Sequence, residues 1–233
     1  MESTEKTKDY SSFSSAAKSR FRPMAESLGY EQITATVYMK DRGEWYETFN
    51  LQASSYGNPF FYINYGVCIP DRWPGVKQEL KDAGWILGRR LSYKGNGAFP
   101  CKTKAEIEES AAYALEEYKR EAVPWLKDLK LEKICDLYFE TTNLDKDRLG
   151  CHEWGHQLGA ANYGFLLLKA GKKAEALAWL REAERLMAVP VFITREGNVV
   201  HEREKYSRIE KPERDELERL EIVRRTIKEL SFA

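Results

Sequence analysis

Residues 49–69 carry no charged side chain, in a chain that otherwise holds 37 Lys and Arg and 37 Asp and Glu. The stretch reads FNLQASSYGNPFFYINYGVCI, and its second half, FFYINYGVCI, is apolar at odd and even positions alike. A run this short, and this rich in aromatic and β-branched residues, suits a strand better than a helix. Apolar on both faces, it has to sit at the centre of a sheet and be covered on both sides. The neighbouring sequence supplies the flanking strands. QITATVYMK is β-branched, DRGEW is a turn, EWYETFNLQASS is a second strand and SYGNP a second turn. Connections this short favour an antiparallel meander. PDRWPG ends it, GWILGRRLSY adds a fourth strand, and KGNGAF turns the chain again.

Helices to cover the sheet are equally legible. Ser11 or Ser12 can cap a helix over Phe13–Leu28, in which Phe21, Met24, Ala25 and Leu28 recur at helical spacing. Gly29 suits its C′ position, and Pro23 predicts a break or restart within it. AEIEESAAYALEEYKREA is an amphipathic helix that Pro124 should end. VPWLKDL and LEKICDLYFE are two short helices, followed by longer ones over about 149–170 and Lys173–Met187. VPVFITREGNVVHER reads as a β-hairpin with EGN at its tip. The last helix, KPERDELERLEIVRRTIKEL, shows a narrow apolar stripe of Leu217, Leu220 and Ile227. The expected fold class is α+β: a three- to five-stranded antiparallel sheet packed by helices, followed by a mainly helical C-terminal part. The division this implies is a disordered 1–12, a sheet domain over 13–130 and a helical region over 131–233.

Composition excludes several function classes. The formal charge is zero, which argues against a nucleic-acid groove binder and a polybasic membrane-surface protein. Hydrophobic residues at 42% are enough for a core. MESTEKTKDYSSFSS has no apolar run of the kind a secretory signal needs, and no apolar stretch approaches the roughly 20 residues that span a bilayer. The expectation is a soluble, cytoplasmic chain. Cys68, Cys101, Cys135 and Cys151 lie far apart without a CxxC, so thiols are expected and a zinc ribbon is not.

A helix ending in LGY, the strand NLQASS, the strand FFYINYGVCIP and a later helix with PWL occur in that order. Together they resemble the bacterial family called domain of unknown function 4304, whose members carry a helix ending in Gly-aromatic, an "fQ.S" strand and an "F.iN.gv" strand. The resemblance covers about residues 12–130. It carries over no catalytic residue. Gln52 and Asn64 are polar positions inside apolar strands. Their amides either satisfy neighbouring backbone at a sheet edge or line a binding cleft. ANYGFLLLKAGKKAEALAWLREAERLMAVP, residues 161–190, is similar to a single tetratricopeptide repeat. Gly164, Leu167, Gly171, Ala176, Leu180 and Ala183 fall at that repeat's spacing. One repeat cannot bury its own faces, so this hairpin needs something to pack on.

One short motif could carry chemistry. His152-Glu153-Trp154-Gly155-His156 is a literal H-E-x-x-H. On a helix, residues four apart share a face, so two imidazoles can grip one zinc ion while Glu153 acts as general base on its water. The string HEWGHQLGAAN also resembles the metzincin signature, keeping its Gly at Gly159 and placing Asn162 where the third His should stand. Reflection about Gly171 brings the chain past Pro190 near the motif. His201 is therefore the natural third ligand, with Glu184 and Glu202 next. The competing reading is a helix used for packing, in which Glu153 and His156 make surface contacts. No cofactor is expected unless this motif binds zinc.

Cys151 and His152 are helical neighbours about 100° apart and make no nucleophile–base pair. Arg89, Arg90 and Lys94 form only a local basic cluster, balanced by acids elsewhere. Trp45, Tyr46 and Tyr56 lie near turns and would make an interface-like aromatic patch if exposed together. The leading expectation is a non-catalytic protein that binds another protein, of an immunity or regulatory kind. Trp45, Gln52 and Asn64 are its candidate binding residues. The alternatives are a zinc-dependent hydrolase using His152, Glu153 and His156, and a small-molecule binder in the sheet domain.

Overall fold

A computed structural model describes residues 13–54, 59–76, 78–142, 153–188, 192–193, 199–200 and 214–232. The chain divides into two compact units, Met1–Pro70 with Gln78–Leu129, and Asp71–Lys77 with Lys130–Ala233.

The first unit opens with α1 (Phe13–Ser27). It ends where the sequence places its stop: Gly29 takes φ +79°, and Tyr30 N–H donates to Ala25 O at 2.8 Å while Gly29 N–H donates to Glu26 O at 3.1 Å. Pro23 does not break the helix. It stands on the exposed side between the buried Phe21 and Met24, where its distortion costs least. The β-branched run after it is not one strand. β1 (Glu31–Gln32) and β2 (Val37–Asp41) pair antiparallel, because the chain turns at Ile33–Thr36. Thr34 Oγ1 accepts from the Thr36 and Val37 amides at 3.3 and 3.1 Å, a local bond that competes with extension.

β3 (Tyr46–Ala53), β4 (Phe60–Cys68) and β5 (Trp85–Arg90) continue the antiparallel sheet in the order β1-β2-β3-β4-β5. β6 (Phe99–Pro100) pairs with the start of β4. β4 is therefore central, as its apolar faces require. Alternation sends Tyr38, Phe49 and Tyr65 to one face. There Phe49 stacks on Tyr38 with centroids 4.7 Å apart, and meets Phe21 of α1 at 6.2 Å and Tyr118 at 5.0 Å. Tyr118 follows α2 (Lys104–Glu117), whose start is closed by a Thr103–Glu106 capping box. Pro124 does not end this helix. The turn Tyr118–Ala122 widens to a π-turn, with Val123 N–H bonded to Tyr118 O, and α3 (Val123–Lys127) runs on with Pro124 in its first turn. On the opposite sheet face, Met39, Cys68 and Ala83 are packed by Val37, Leu80 and Trp85.

The second unit is mainly helical. It comprises α4 (Leu131–Thr142), α5 (Glu153–Lys169), α6 (Lys173–Met187), the paired two-residue strands β7 (Phe192–Ile193) and β8 (Val199–Val200), and α7 (Arg214–Phe232). α5 and α6 form a hairpin turned by Gly171 at φ +76°, with Lys172 N–H on Leu167 O at 2.9 Å. Gly164 permits their closest approach: a Cβ there would stand 2.8 Å from Leu180 Cγ. In α7 the apolar stripe is shifted from the expected one. Leu217 is 48% exposed, whereas Leu220, Val223 and Thr226 are buried. Tertiary packing, not sequence contrast, selects the buried face. Among the described residues, no helix is long and apolar enough to cross a membrane.

Candidate functional site

Alternation along β3 places Asn50 and Gln52 on the face opposite Phe49, and alternation along β4 places Tyr62 and Asn64 there. Register then decides who meets. Asn50 lies directly across from Asn64, Gln52 from Tyr62, and Asn64 from Arg90 on β5. Asn64, only 7% exposed, sits at the centre of what results. Its Nδ2 donates to Asn50 Oδ1 and to Gln52 Oε1, both at 2.9 Å, and its Oδ1 accepts from Arg90 Nε at 2.9 Å. The Arg90 guanidinium also lies over the Tyr62 ring, 4.2 Å from its centroid.

Chemistry alone orients these amides. A guanidinium nitrogen can only donate, so the Asn64 atom facing it must be oxygen. The other end of Asn64 must then be the NH2 group, and the Asn50 and Gln52 atoms that meet it must be oxygens. Their own NH2 groups therefore turn away from Asn64. The side chains grouped around Asn64 thus direct N–H donors away from it: the Nη groups of Arg90 and the amides of Gln52 and Asn50. Arg90 and Gln52 are exposed, and Asn50 and Tyr62 are half-buried.

The sequence singles out Gln52 and Asn64, either as amides that satisfy backbone at a sheet edge or as the lining of a cleft. The strand is central and the partners are side chains. In the sequence Arg90 is one of a local basic cluster with Arg89 and Lys94, balanced by acids elsewhere. Lys94 is balanced, by Glu109 at 2.8 Å, and Arg89 stacks over Trp125 at 4.5 Å. Arg90 has no carboxylate partner among the described residues. The signal that could have found it is the alternation in ILGRRL, which must send adjacent arginines to opposite faces. Trp45, the other candidate binding residue, is 4% exposed beneath Arg42, so it does not belong to an open aromatic patch.

The buried ionisable groups of the sheet unit are engaged in its core. Tyr30 Oη donates to Glu47 Oε2 at 2.8 Å, so its 3.0 Å contact with Tyr118 Oη must be a bond that Tyr118 donates. Arg42 Nε pairs with the other Glu47 oxygen at 3.3 Å. Burial holds the Tyr30 and Tyr118 phenols well above the ordinary tyrosine range. Glu117, also buried, pairs with Arg120. In the helical unit, Cys135 of α4 is a thiol pushed up to about 11 by burial, the protonated and unreactive form.

In the second unit, α5 begins at Glu153, so Glu153 and His156 stand on its first turns. Their side chains, together with His152, His201, Glu202 and Cys151, lie outside the described residues. Among the described residues no cluster of His, Cys, Asp and Glu is arranged to hold a metal. Asn162, in the position of a metzincin third ligand, is engaged otherwise. Its Oδ1 accepts from Trp73 Nε1 at 2.7 Å and Arg72 Nε at 3.0 Å. Glu184, another candidate ligand, pairs with Arg224 at 2.9 Å.

No curated protein and no solved structure matches the chain. Residues 21–128, which span the sheet, its covering helices and the Asn64 cluster, match the family described as Domain of unknown function (DUF4304).

Proposed function

We propose that this chain is a non-catalytic recognition protein that binds another protein through the Asn64 end of the sheet. One observation carries the reading: a central buried amide holds Asn50, Gln52 and Arg90 so that their N–H donors point away from it. Such a surface is built to receive acceptors from outside, and its parts are fixed before a ligand arrives. The buried carboxylates support the same reading, since Glu47 and Glu117 hold core contacts rather than face a cleft. A cytoplasmic immunity or regulatory partner is the biological form this suggests. The α5–α6 hairpin, read as one tetratricopeptide-like unit, is a second packing surface on the same chain.

The test is affinity purification of tagged wild-type and Arg90→Ala protein from the native host. Wild type should retain one protein in near-stoichiometric amount, with Arg90→Ala weakening that complex about tenfold or more. Equal retention by both proteins would place the interface elsewhere. The competing zinc-dependent hydrolase would show itself as about one zinc per chain, lost in His156→Ala. In that case Glu153→Gln would keep the metal and abolish turnover.

A further inference from the structure

We infer that the group recognised at this surface is a carboxylate, carried on an Asp or Glu side chain of the partner protein and seated on the Arg90 guanidinium with the Gln52 amide beside it. The inference rests on the reading of the Asn64 face as a recognition surface, and it adds the chemistry of what is recognised.

Charge is the first argument. Arg90 brings a guanidinium group to the surface. Its neighbours on β3 and β4, Asn50, Gln52, Tyr62 and Asn64, are all uncharged, and among the described residues none forms an ion pair with it. A positive charge with no acid partner among the described residues is one that an anion from outside can meet. Immobilisation is the second. Nε is held by Asn64 at 2.9 Å, the guanidinium plane is held on Tyr62, and Gly97 passes so close that a Cβ there would stand 3.3 Å from Arg90 Cδ. A long side chain pinned at several points has little rotamer freedom left to lose on binding. With Nε occupied, the paired Nη groups remain, and that end of the fork matches the two oxygens of a carboxylate.

The count of charges selects among anions. The cluster offers one cation supplemented by neutral amide donors. Arg89 points to the opposite sheet face over Trp125, and Lys94 is paired with Glu109. A phosphate dianion or a nucleic-acid backbone calls for several cations together, whereas one guanidinium with amide donors balances a monoanion. Exposure selects the source. Arg90 and Gln52 are exposed, which suits a side chain presented by a protein more than a small acid enclosed in a cavity.

The experiment follows the arginine side-chain N–H resonances of isotopically labelled full-length protein by NMR. The probes are N-acetylglutamic acid α-amide, its glutamine counterpart and inorganic phosphate, each at constant ionic strength. The glutamate probe should shift the Arg90 signals saturably, and the glutamine probe, which differs only in the carboxylate, should not. Read on the Gln52 side-chain amide signals, which both proteins carry, affinity for the glutamate probe should fall about tenfold in Arg90→Lys, which keeps the charge and loses the fork. Equal response to both amino-acid probes overturns the inference, as does phosphate shifting the same signals at lower concentration. Because the wild-type comparison needs no variant, a misfolded mutant cannot decide the result. Failure here with partner binding still lost in Arg90→Ala removes the carboxylate and keeps the recognition surface. Success here with partner binding unchanged in Arg90→Ala does the reverse.

Discussion

The two units solve the burial problem differently. The sheet unit encloses polar groups: Glu47, Thr48, Asn64, Ser110 and Glu117 are all buried there, and most are held by named partners on other elements. Among the described residues of the helical unit the corresponding buried polar residue is Thr226, whose hydroxyl donates to Ile222 O in its own helix. Strand register brings side chains from three or more strands to one point, where amides and charges can satisfy each other. A helix satisfies its backbone internally and contributes an apolar stripe. A cluster of convergent donors therefore arises readily in the sheet unit, and close apolar contact in the helical one.

The largest effect that would break this contrast is in the helical unit. Trp73 lies in the segment between β4 and β5 but belongs to the helical core, packed on Phe165 at 4.8 Å and bonded to Asn162. Trp73→Ala should cost about 4 kcal/mol by urea denaturation. Matched glycine substitutions come next. A Cβ on Gly66 would stand 2.0 Å from the Leu87 carbonyl oxygen, backbone that cannot yield without parting β4 from β5. At Gly164 the nearest obstacle is the side chain of Leu180. Gly66→Ala should therefore cost about 3 kcal/mol and Gly164→Ala about 1 kcal/mol, read as midpoint shifts. Equal losses would erase the distinction between backbone and side-chain contact.

A smaller effect tests the buried polar core of the sheet. The folded chain holds the Tyr30 proton above the ordinary phenol value of 10.0, chiefly through burial. Below that pH both folded and unfolded chains keep the proton. As pH rises past it only the unfolded chain releases it, so stability should fall above about pH 10. Tyr30→Phe should flatten part of that decline in thermal melts between pH 9 and 11, while losing about 1 kcal/mol at neutral pH from the Glu47 bond. The smallest concerns the capping box of α2. Thr103→Ala should cost about 1 kcal/mol or less, measured by the same denaturation.

Much of the fold was legible. The helix Lys173–Met187 matches its expected bounds, Gly29 stops α1, and β4 is central. What misled were local signals overridden by context. Pro124 read as a stop, and a π-turn absorbs it; QITATVYMK read as one strand, and the Thr34 hydroxyl turns it. The site was half legible. Gln52 and Asn64 stood out because amides are unusual in an uncharged aromatic stretch, whereas Arg90 looked like any surface base.

The sequence by itself determined which residues share a face. Period-two alternation is local, so Asn50 with Gln52, Tyr62 with Asn64, and Arg89 opposed to Arg90 follow from the strands alone. Only the tertiary structure decided that Asn64 stands between Asn50 and Arg90. A slip of one residue between strands would turn one strand's whole set to the other face, and one of two would change every partner. That register is set by packing over the whole sheet, between residues 14 and 26 positions apart in the chain.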